Sequence, residues 1–346
     1  MPKSVKLSDI AARVGVSTVT VSKALSDKKG VSPQMRAKIK AIAEEMGYQS
    51  LSAAKKQSRM RSYRFGILIA EHFLGKYDSF YWQMYQDVTT QAVAEGCFTL
   101  LELVSAEAET RQILPKLSVE KRVNGIIIIG ELKSGYLKKL KAECEVPILY
   151  LDFYDNTADC DAVISNGYHG TYALTNLLLE LGHRRIAFVG NLLATQSITD
   201  RYFGYQHALL EHGVVMQPDW LIGDRDPATG MSDEMQMQRL PEQMPTAFVC
   251  NCDLTAANMI RILEERGLEV PRDVSVVGFD NFMYPWLCRT RITTFEPNTH
   301  AMVTMALEKM IQKIEDAQYR PGIFTVDGQL VYGESAARIP LPERFS

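Results

Sequence analysis

Short apolar runs alternate with amphipathic helical stretches along the chain from residue 65 onward. This alternation is typical of doubly wound parallel sheets, in which each strand is followed by a helix that covers the sheet. Because about 280 residues of this pattern are large for one sheet, we predict two lobes with a cleft between them. The apolar runs cover residues 65–70, 98–104, 125–129, 147–151, 185–189, 246–250 and 274–277, and the helical stretches cover 81–95, 170–181, 202–212, 254–266 and 299–317.

The first 48 residues carry a different pattern, that of three short helices. Ser17 and Ser32 can each cap a helix, and Pro33 suits the first turn of the third one. Gly15 can adopt a turn conformation between the first two helices that a side chain would resist. This arrangement predicts a helix-turn-helix, although three short basic helices are also found in protein-binding bundles.

Charge is divided unevenly along the chain. Residues 1–64 hold 14 lysines and arginines against 4 aspartates and glutamates, a net charge of +10, whereas the whole chain carries −3. Residues 49–64 are polar and basic and lack a core, which predicts a linker that folds into a short helix on binding. A basic front end on an acidic body predicts that only the front end meets a polyanion such as DNA.

The start of the second helix offers side chains that can read DNA bases. Thr18 and Val19 carry methyl groups that suit a thymine methyl, and Lys23 suits guanine acceptors. Because a cap at Ser17 leaves these residues facing outward, we expect them to enter the major groove. The expected phosphate contacts come from Lys6, Lys28, Lys29 and Arg36.

The front end resembles the DNA-binding head of the lactose-repressor (LacI/GalR) family of bacterial transcription regulators in two runs, VKLSDIAARVGVSTVTVSKAL and VSPQMRAKIKAIAEEMGY. The resemblance implies that Thr18, Val19 and Lys23 take base-reading positions. In this family the linker forms a hinge helix that enters the minor groove, where a leucine wedges between base pairs and kinks the duplex. The positions that the resemblance implies for contacts to the DNA backbone are Ser17, Ser32, Arg36 and Tyr48.

The linker departs from this family pattern at two positions. Gln57 stands at the wedge position, and Ser50 replaces the proline that usually precedes the hinge helix. Gln57 can hydrogen-bond in the minor groove but is a poor apolar wedge. We therefore expect binding to depend more on phosphate neutralisation and to fall steeply with salt. The expected minor-groove residues are Ala53, Ala54, Lys55, Lys56 and Gln57.

The resemblance extends over the body and is nearly full-length. It rests on the runs LLLELGHRRIAFVGN, DRYFGYQHALLEHGV, PTAFVCNCDLTAANMIRIL, GLEVPRDVSVVGFDN and ITTFEPN. It implies an α/β fold class, with an all-α helix-turn-helix head and a two-lobed, periplasmic-binding-protein-like body of doubly wound parallel sheets that holds a small-molecule effector between its lobes. The implied domains are a head at 1–48, a hinge helix at 49–64, and an effector-binding and dimerisation domain at 65–346, with an N-lobe at about 65–164 and 294–323 and a C-lobe at about 165–293 and 324–346.

Two pairs of side chains carry over from the family to the expected cleft. Phe80 and Tyr81 form an aromatic pair suited to stacking on a sugar face, with packing at a helix start as the alternative. Asp152 and Asp280 directly follow strands, where carboxylates can accept hydrogen bonds from vicinal hydroxyls. The alternative for both aspartates is helix capping.

The remaining cleft positions lie in the second half of the chain. Arg201 matches the family's effector-binding arginine, with an exposed arginine as the alternative, and Thr195 and Ser197 lie on the loop before it. Two positions depart from the pattern: Arg225 stands where relatives often carry a stacking aromatic, and Cys252 replaces a common asparagine. A second arginine beside Arg201 suggests an acidic effector such as a sugar acid or sugar phosphate. A solvent-directed Arg225 would instead leave a neutral sugar.

Catalytic and metal-binding signatures are missing from the sequence. HExxH, G-x-S-x-G and G-x-G-x-x-G do not occur, and the six histidines show no ligand spacing. Cys250 and Cys252 form a lone C-x-C, so free thiols are expected. We therefore predict no enzyme activity, no catalytic residue, no metal and no cofactor.

These observations together predict a DNA-binding transcription regulator, most simply a repressor, whose operator affinity is controlled by a sugar or sugar derivative. One head reads too few bases for specificity, so a homodimer on a near-palindrome is expected. Without a signal peptide or a long apolar stretch, we expect a cytoplasmic protein that makes no membrane contact. A solute-binding, receptor-like sugar sensor would need an export signal and no basic head, and an α/β enzyme on a nucleic-acid anchor would need a nucleophile–base pair or a cofactor loop.

Overall fold

The computed structural model describes residues 6–25, 30–46, 62–74, 79–157, 159–226, 230–282 and 287–339. The chain divides into two compact units, residues 1–62 and residues 63–346, which we call the head and the body. Within the described ranges, no helix is both long enough and apolar enough to cross a membrane.

In the described part of the head, three helices pack around a small apolar core. They are α1 (Leu7–Val14), α2 (Thr18–Leu25) and α3 (Pro33–Glu45). Gly15 ends α1 in left-handed backbone at φ 79°, and its N–H donates to the carbonyl of Ala11 at 2.9 Å, so the chain turns at once into α2. The helices meet in a core of Ile10, Ala11, Val21, Ala24, Ile39 and Ala43.

Two six-stranded sheets form the body, one in each lobe. The strands are β1 (Arg64–Ala70), β2 (Phe98–Val104), β3 (Gly125–Ile129), β4 (Ile148–Leu151), β5 (Ala162–Ser165), β6 (Ile186–Val189), β7 (Leu221–Ile222), β8 (Ala247–Cys250), β9 (Ser275–Phe279), β10 (Thr293–Pro297), β11 (Ile323–Val326) and β12 (Gly328–Val331). Their orders are β11-β5-β4-β3-β1-β2 and β12-β10-β9-β8-β6-β7. Among the described strands, all neighbours run parallel except β12, which is antiparallel to β10.

Helices cover both faces of these sheets, so strands such as β3 and β8 are buried along their whole length. The predicted α/β fold of helical head and doubly wound sheets is therefore confirmed. The body helices are α4 (Phe80–Ala94), α5 (Ala106–Arg111), α6 (Lys116–Val119), α7 (Ser134–Glu143), α8 (Gly167–Glu180), α9 (Gln196–Glu211), α10 (Glu234–Met237), α11 (Asp253–Glu265) and α12 (Thr299–Glu315), with 3-10 turns at Glu71–Leu74 and Pro218–Trp220.

Within the described residues of the body, the chain crosses between the lobes at three places. The first crossing lies between β5 of the first sheet and α8, which packs on the second. β10 belongs to the second sheet and β11 to the first, so the other two crossings fall a few residues later than the predicted lobe boundaries at 294 and 324. The prediction placed those boundaries too early because the apolar pattern of β10 and β11 does not reveal which sheet each strand joins.

Candidate nucleic-acid interface and ligand cleft

The N-terminus of α2 is capped and open to solvent. The Ser17 hydroxyl accepts the N–H of Thr20 at 3.2 Å, which satisfies one of the free donors of the first turn. The three predicted base-reading residues on α2 are all exposed, and Val19 keeps 60% of its surface accessible. An exposed apolar residue beside Thr18 and Lys23 on a capped helix can contact a thymine methyl and base-edge acceptors in a major groove.

The predicted backbone-contact residues divide into three kinds. Lys6 precedes α1 and is exposed, and Ser32 caps α3 by accepting the N–H of Met35 at 3.3 Å. Arg36 donates from Nη1 to the carbonyls of Lys23 and Ala24 at 3.3 and 3.2 Å, so it holds the end of α2 against α3. The predicted residues that lie outside the described ranges are Lys28, Lys29, Tyr48, Ala53, Ala54, Lys55, Lys56 and Gln57.

The N-lobe wall of the cleft is built around Asp152, which follows β4. Its carboxylate accepts hydrogen bonds from the Tyr81 hydroxyl at 3.2 Å and from the Ser165 hydroxyl at 3.1 Å. Burial raises the pKa of Asp152, and the opposing charge of Arg201 from the C-lobe limits the rise. Phe80 packs against the first-sheet core, with its ring centroid 5.5 Å from that of Tyr81. Tyr81 is therefore the member of the aromatic pair that reaches the acidic centre.

The C-lobe wall contains Arg201 on α9, which is 5% exposed and so is not the exposed arginine of the alternative. Its Nη1 donates to the carbonyl of Asn251 at 2.6 Å and its Nη2 to Asp280 Oδ1 at 3.3 Å. The guanidinium lies over the ring of Phe279, 3.8 Å from the centroid. Its Nε is buried and has no hydrogen-bond partner among the described residues.

Asp280 follows β9 in left-handed backbone at φ 104°, as Asp152 follows β4 at φ 68°. Neither aspartate caps a described helix, so the capping alternative is not observed. Burial raises the pKa of Asp280 to about 7, with Arg201 opposing the rise and Asp152 adding to it. The negative charge of Asp152 thus raises the pKa of Asp280 across the cleft, and the positive charge of Arg201 lowers the pKa of both aspartates.

Arg225 is not directed into solvent, because its side chain is 17% exposed and forms a two-point ion pair. Its Nε donates to Asp224 Oδ1 at 3.0 Å, and its Nη2 donates to Asp224 Oδ2 at 2.7 Å and to Asn251 Oδ1 at 3.1 Å. The solvent-directed alternative is therefore wrong. The physical reason is that both carboxylate oxygens of Asp224, the residue before it in the chain, accept hydrogen bonds from the Nε/Nη2 edge of its guanidinium.

Asp224 is a residue of the site that the sequence reading missed. It is fully buried and also accepts hydrogen bonds from the Asn191 N–H at 3.0 Å, Asn251 Nδ2 at 2.7 Å and the Thr255 hydroxyl at 3.0 Å. Burial alone would raise its pKa, but the hydrogen bonds from Arg225 and its other donors hold that pKa below the ordinary value. The available signal was an acid directly before Arg225 in the run GDRDPATG.

Thr195, Ser197 and Cys252 lie at helix starts beside the cleft. Thr195 caps α9 by accepting the N–H of Ile198 at 3.2 Å, and its hydroxyl contacts that of Ser197 at 3.0 Å. Cys252 precedes α11, and its Sγ lies 3.3 Å from the Thr255 hydroxyl. Burial raises the pKa of Cys252 to about 11, so the thiol is neutral. In the structure, Thr195 therefore serves as the N-cap of α9.

Two family models match the chain. Residues 6–50 match bacterial regulatory proteins of the lacI family, and residues 175–336 match the periplasmic binding protein-like domain. Among curated proteins, the chain is 28% identical over 319 residues to the HTH-type transcriptional repressor PurR of Erwinia tasmaniensis, which covers 90% of this chain and 92% of that protein. PurR of Aliivibrio salmonicida is 24% identical over 334 residues, 96% of this chain and 99% of that protein.

Solved structures show the same architecture. The Lac repressor dimer bound to operator and the anti-inducer ONPF has a TM-score of 0.66 and 25% identity, covering 97% of this chain and 100% of that chain. A complex of the transcriptional regulator CelR with cellobiose has a TM-score of 0.70 and 22% identity, covering 96% and 100%. Both curated relatives are named as transcriptional repressors, so the chain is similar to DNA-binding regulators.

Proposed function

Because the chain joins a head of the lacI family of bacterial regulatory proteins to a periplasmic binding protein-like body, we propose that it is a transcriptional repressor that binds operator DNA as a homodimer under the control of a small molecule. The observation that carries the proposal is the capped, exposed start of α2 on the same chain as a cleft with paired charges. Regulation requires both parts, since a duplex-binding surface alone would not sense a metabolite.

DNA recognition follows from the chemistry of α2. Thr18 and Val19 present methyl groups and Lys23 presents an ammonium group, all on exposed positions of one helix. The net charge of +10 over residues 1–64 supplies sequence-independent attraction to phosphates, and α2 adds the base contacts that select a sequence.

The proposed effector is a sugar or sugar derivative bound between the lobes. Asp152 and Asp280 offer acceptors for hydroxyl groups, Arg201 offers donors, and Tyr81 adds an aromatic ring beside them. Related structures hold such molecules, since one carries cellobiose and a LacI family regulator from Enterococcus faecium carries ribose. The composition of the cleft and these neighbours support a carbohydrate effector.

A homodimer is supported by an exposed apolar edge on the N-lobe. β2 is the edge strand of the first sheet, and Phe98, Leu100 and Leu103 on it remain 57%, 38% and 46% exposed, beside Val93 at 58%. An apolar sheet edge of this kind favours pairing with another chain. Light scattering should give a dimer for the wild type and a monomer for Phe98→Lys/Leu100→Lys. Val215→Lys changes an exposed apolar residue of the C-lobe, which is 76% accessible, and should stay dimeric. Dimers throughout would refute this interface.

Selection of bound duplexes from a random library tests the DNA-binding proposal. Lys23→Ala should change the preferred bases, because Lys23 is assigned to a base edge. Lys38→Ala removes the same charge from an exposed position of α3 and should leave the selected motif unchanged. Repeating the selection with a carbohydrate library present should alter the recovered fraction of DNA. An unchanged motif for Lys23→Ala would refute the assignment of the reading face, and failure to bind any duplex would favour a receptor-like sugar sensor.

A further inference from the structure

Arg225 belongs to the wall of the cleft although it lies on a different segment from Arg201. Its charge acts on Asp280 of the C-lobe and on His72 and Tyr81 of the N-lobe. Asn251 also links the two arginines, because its side-chain Oδ1 accepts Arg225 Nη2 at 3.1 Å and its backbone carbonyl accepts Arg201 Nη1 at 2.6 Å. The guanidinium of Arg225, whose side chain is 17% exposed, therefore lies beside that of Arg201 at the cleft.

The fork of Arg225 is already occupied along one side. The Nε–H and both hydrogens of Nη2 are used by Asp224 and by Asn251 Oδ1, which leaves the two hydrogens of Nη1. A two-point pair of this kind is planar and fixes the orientation of the guanidinium. The structure therefore holds a flat group of fixed orientation at this position.

Asp224 cannot easily swing away from Arg225. Its carboxylate is fully buried and is also held by the Asn191 N–H, Asn251 Nδ2 and the Thr255 hydroxyl, which come from two further segments of the C-lobe. Removing the negative charge of Asp224 would leave the partly buried Arg225 without its counter-charge. The unpaired guanidinium would then attract anions.

The second arginine of the cleft is also balanced. Arg201 pairs with Asp280 at 3.3 Å, and Asp152 adds another carboxylate on the opposite wall. Each guanidinium of the cleft therefore faces a carboxylate of the protein itself. A ligand carboxylate or phosphate would find only the two Nη1 hydrogens of Arg225 unused, on a guanidinium whose charge Asp224 already balances, so it would gain less than from an unpaired arginine.

We propose that Asp224 is a specificity-determining positioning residue, which turns Arg225 into a flat, charge-balanced platform, so that the cleft takes an uncharged sugar ring and rejects its acidic and phosphorylated counterparts. The proposal rests on the proposed function, in which a carbohydrate binds between the lobes. The plane of the Arg225 guanidinium would stack on the apolar face of the sugar ring. A free arginine would instead attract an anionic ligand by its charge.

Inorganic phosphate binds arginines whose charge is not paired with a carboxylate, so it can be used as a probe without knowing the effector. Titrated into the full chain during thermal unfolding, it should raise the Tm of the wild type and of Arg225→Gln equally. Asp224→Asn should gain phosphate-dependent stabilisation that the double variant Asp224→Asn/Arg225→Gln loses. Asp219→Asn, an exposed change of the same charge in the same lobe, should behave as the wild type. A phosphate response of the wild type that disappears in Arg225→Gln would overturn the proposal, whether or not the Asp224 variant folds.

Calorimetry with matched ligands tests the predicted selectivity. Glucose, cellobiose and ribose are compared with glucuronate, glucose 6-phosphate and ribose 5-phosphate. We expect only the uncharged sugars to bind the wild type. Arg225→Ala should weaken the affinity for these sugars about fivefold or more. Arg225→Trp keeps a flat side chain, so its affinity should stay within about threefold of the wild type. Tighter binding of an acidic or phosphorylated member to the wild type overturns the proposal. If no carbohydrate binds, the sugar assignment of the proposed function fails, while the phosphate titration still decides the role of Asp224.

Discussion

At the scale of residues, buried charges line the cleft in which we propose that the ligand binds. Arg201 and Arg225 are each held by a carboxylate and by an oxygen of Asn251, which joins the two ion pairs through its backbone carbonyl on one side and its side-chain amide oxygen on the other. Such pairs contribute little net stability, but loss of one partner is costly because the other charge stays buried. The arrangement thus fixes the donors and acceptors before a ligand arrives, which lowers the entropy cost of binding.

Asp280 makes stability depend on pH in a defined direction. Burial raises its pKa from 3.8 to about 7, so the folded protein binds a proton more tightly than the unfolded chain. The stabilisation from this group is therefore complete below about pH 4 and is lost as the pH rises through 7. Asp280→Asn has no ionisable group at this position, so it should not lose this stabilisation. We therefore expect the free energy of unfolding of the wild type, measured relative to that of the variant, to fall by about 1 kcal/mol or more between pH 5 and 8.

Urea unfolding of both proteins at several pH values checks this dependence. Asp219→Asn is the control, since its side chain is exposed and the substitution removes the same charge from the same lobe. A difference between wild type and Asp280→Asn that stays constant across the pH range would contradict the assignment of a raised pKa to Asp280.

The residues of the cleft were only partly predictable from the sequence. Arg201, Asp152 and Asp280 could be singled out because they match family positions, and the structure brings them to facing walls. Asp224 could not, because its donors come from segments that are distant in sequence and meet only in the folded C-lobe. The same absence of spatial information left the direction of Arg225 undecided.

At the level of elements, the cap of α2 links sequence to DNA recognition. We expect Ser17→Ala to cost the head about 1 kcal/mol, because the N–H of Thr20 loses its acceptor. Ser17→Asp restores an acceptor and suits the positive end of the helix, but places a negative charge near DNA phosphates. Hydrogen exchange of the α2 amides in the full chain should show faster exchange for Ser17→Ala and recovery for Ser17→Asp.

Duplex binding by the same variants, compared with their hydrogen exchange, distinguishes loss of the cap from repulsion of DNA phosphates. Both substitutions should weaken binding, the alanine through the helix and the aspartate through repulsion. Wild-type exchange in Ser17→Ala would show that the cap does not stabilise α2.

Close packing of α8 against α9 is a second feature at the level of elements. A Cβ added at Gly204 would lie 2.0 Å from the carbonyl oxygen of Tyr168, so an alanine there must push the two helices apart. We expect Gly204→Ala to lower the free energy of unfolding by about 2 kcal/mol or more. Gly135→Ala, in α7, meets only the flexible end of Gln112 at 3.1 Å and should be neutral or stabilising. Equal stabilities in urea unfolding would contradict this packing argument.

Elements of the body were easier to predict than their limits. The stretch 254–266 coincides closely with α11, because its apolar residues repeat at helical spacing. The stretches 170–181 and 202–212 begin later than α8 and α9 do. Those helices start at caps, Asn166 and Thr195, whose side chains accept N–H groups at 3.1 and 3.2 Å. Apolar spacing alone does not report such polar starts.

At the scale of the whole molecule, two sheets are joined by three crossings, and polar contacts bridge the lobes beside the cleft. Glu131 of the N-lobe accepts the N–H of Gln196 at the start of α9 at 3.2 Å, and the Tyr154 hydroxyl donates to Asp200 of α9 at 3.0 Å. A ligand that binds both walls would bias the relative orientation of the lobes, because its contacts are complete only when the walls are close.

The central claim is that this chain binds a specific duplex through its head. Fluorescence anisotropy of the full-length protein with the selected duplex and with a scrambled one, over a series of salt concentrations, tests it most directly. We predict that the selected duplex binds about 1,000-fold or more tightly than the scrambled one and that the logarithm of both association constants falls linearly with the logarithm of salt. Binding to neither duplex at about 50 mM salt, or equal binding to both throughout, would contradict the account.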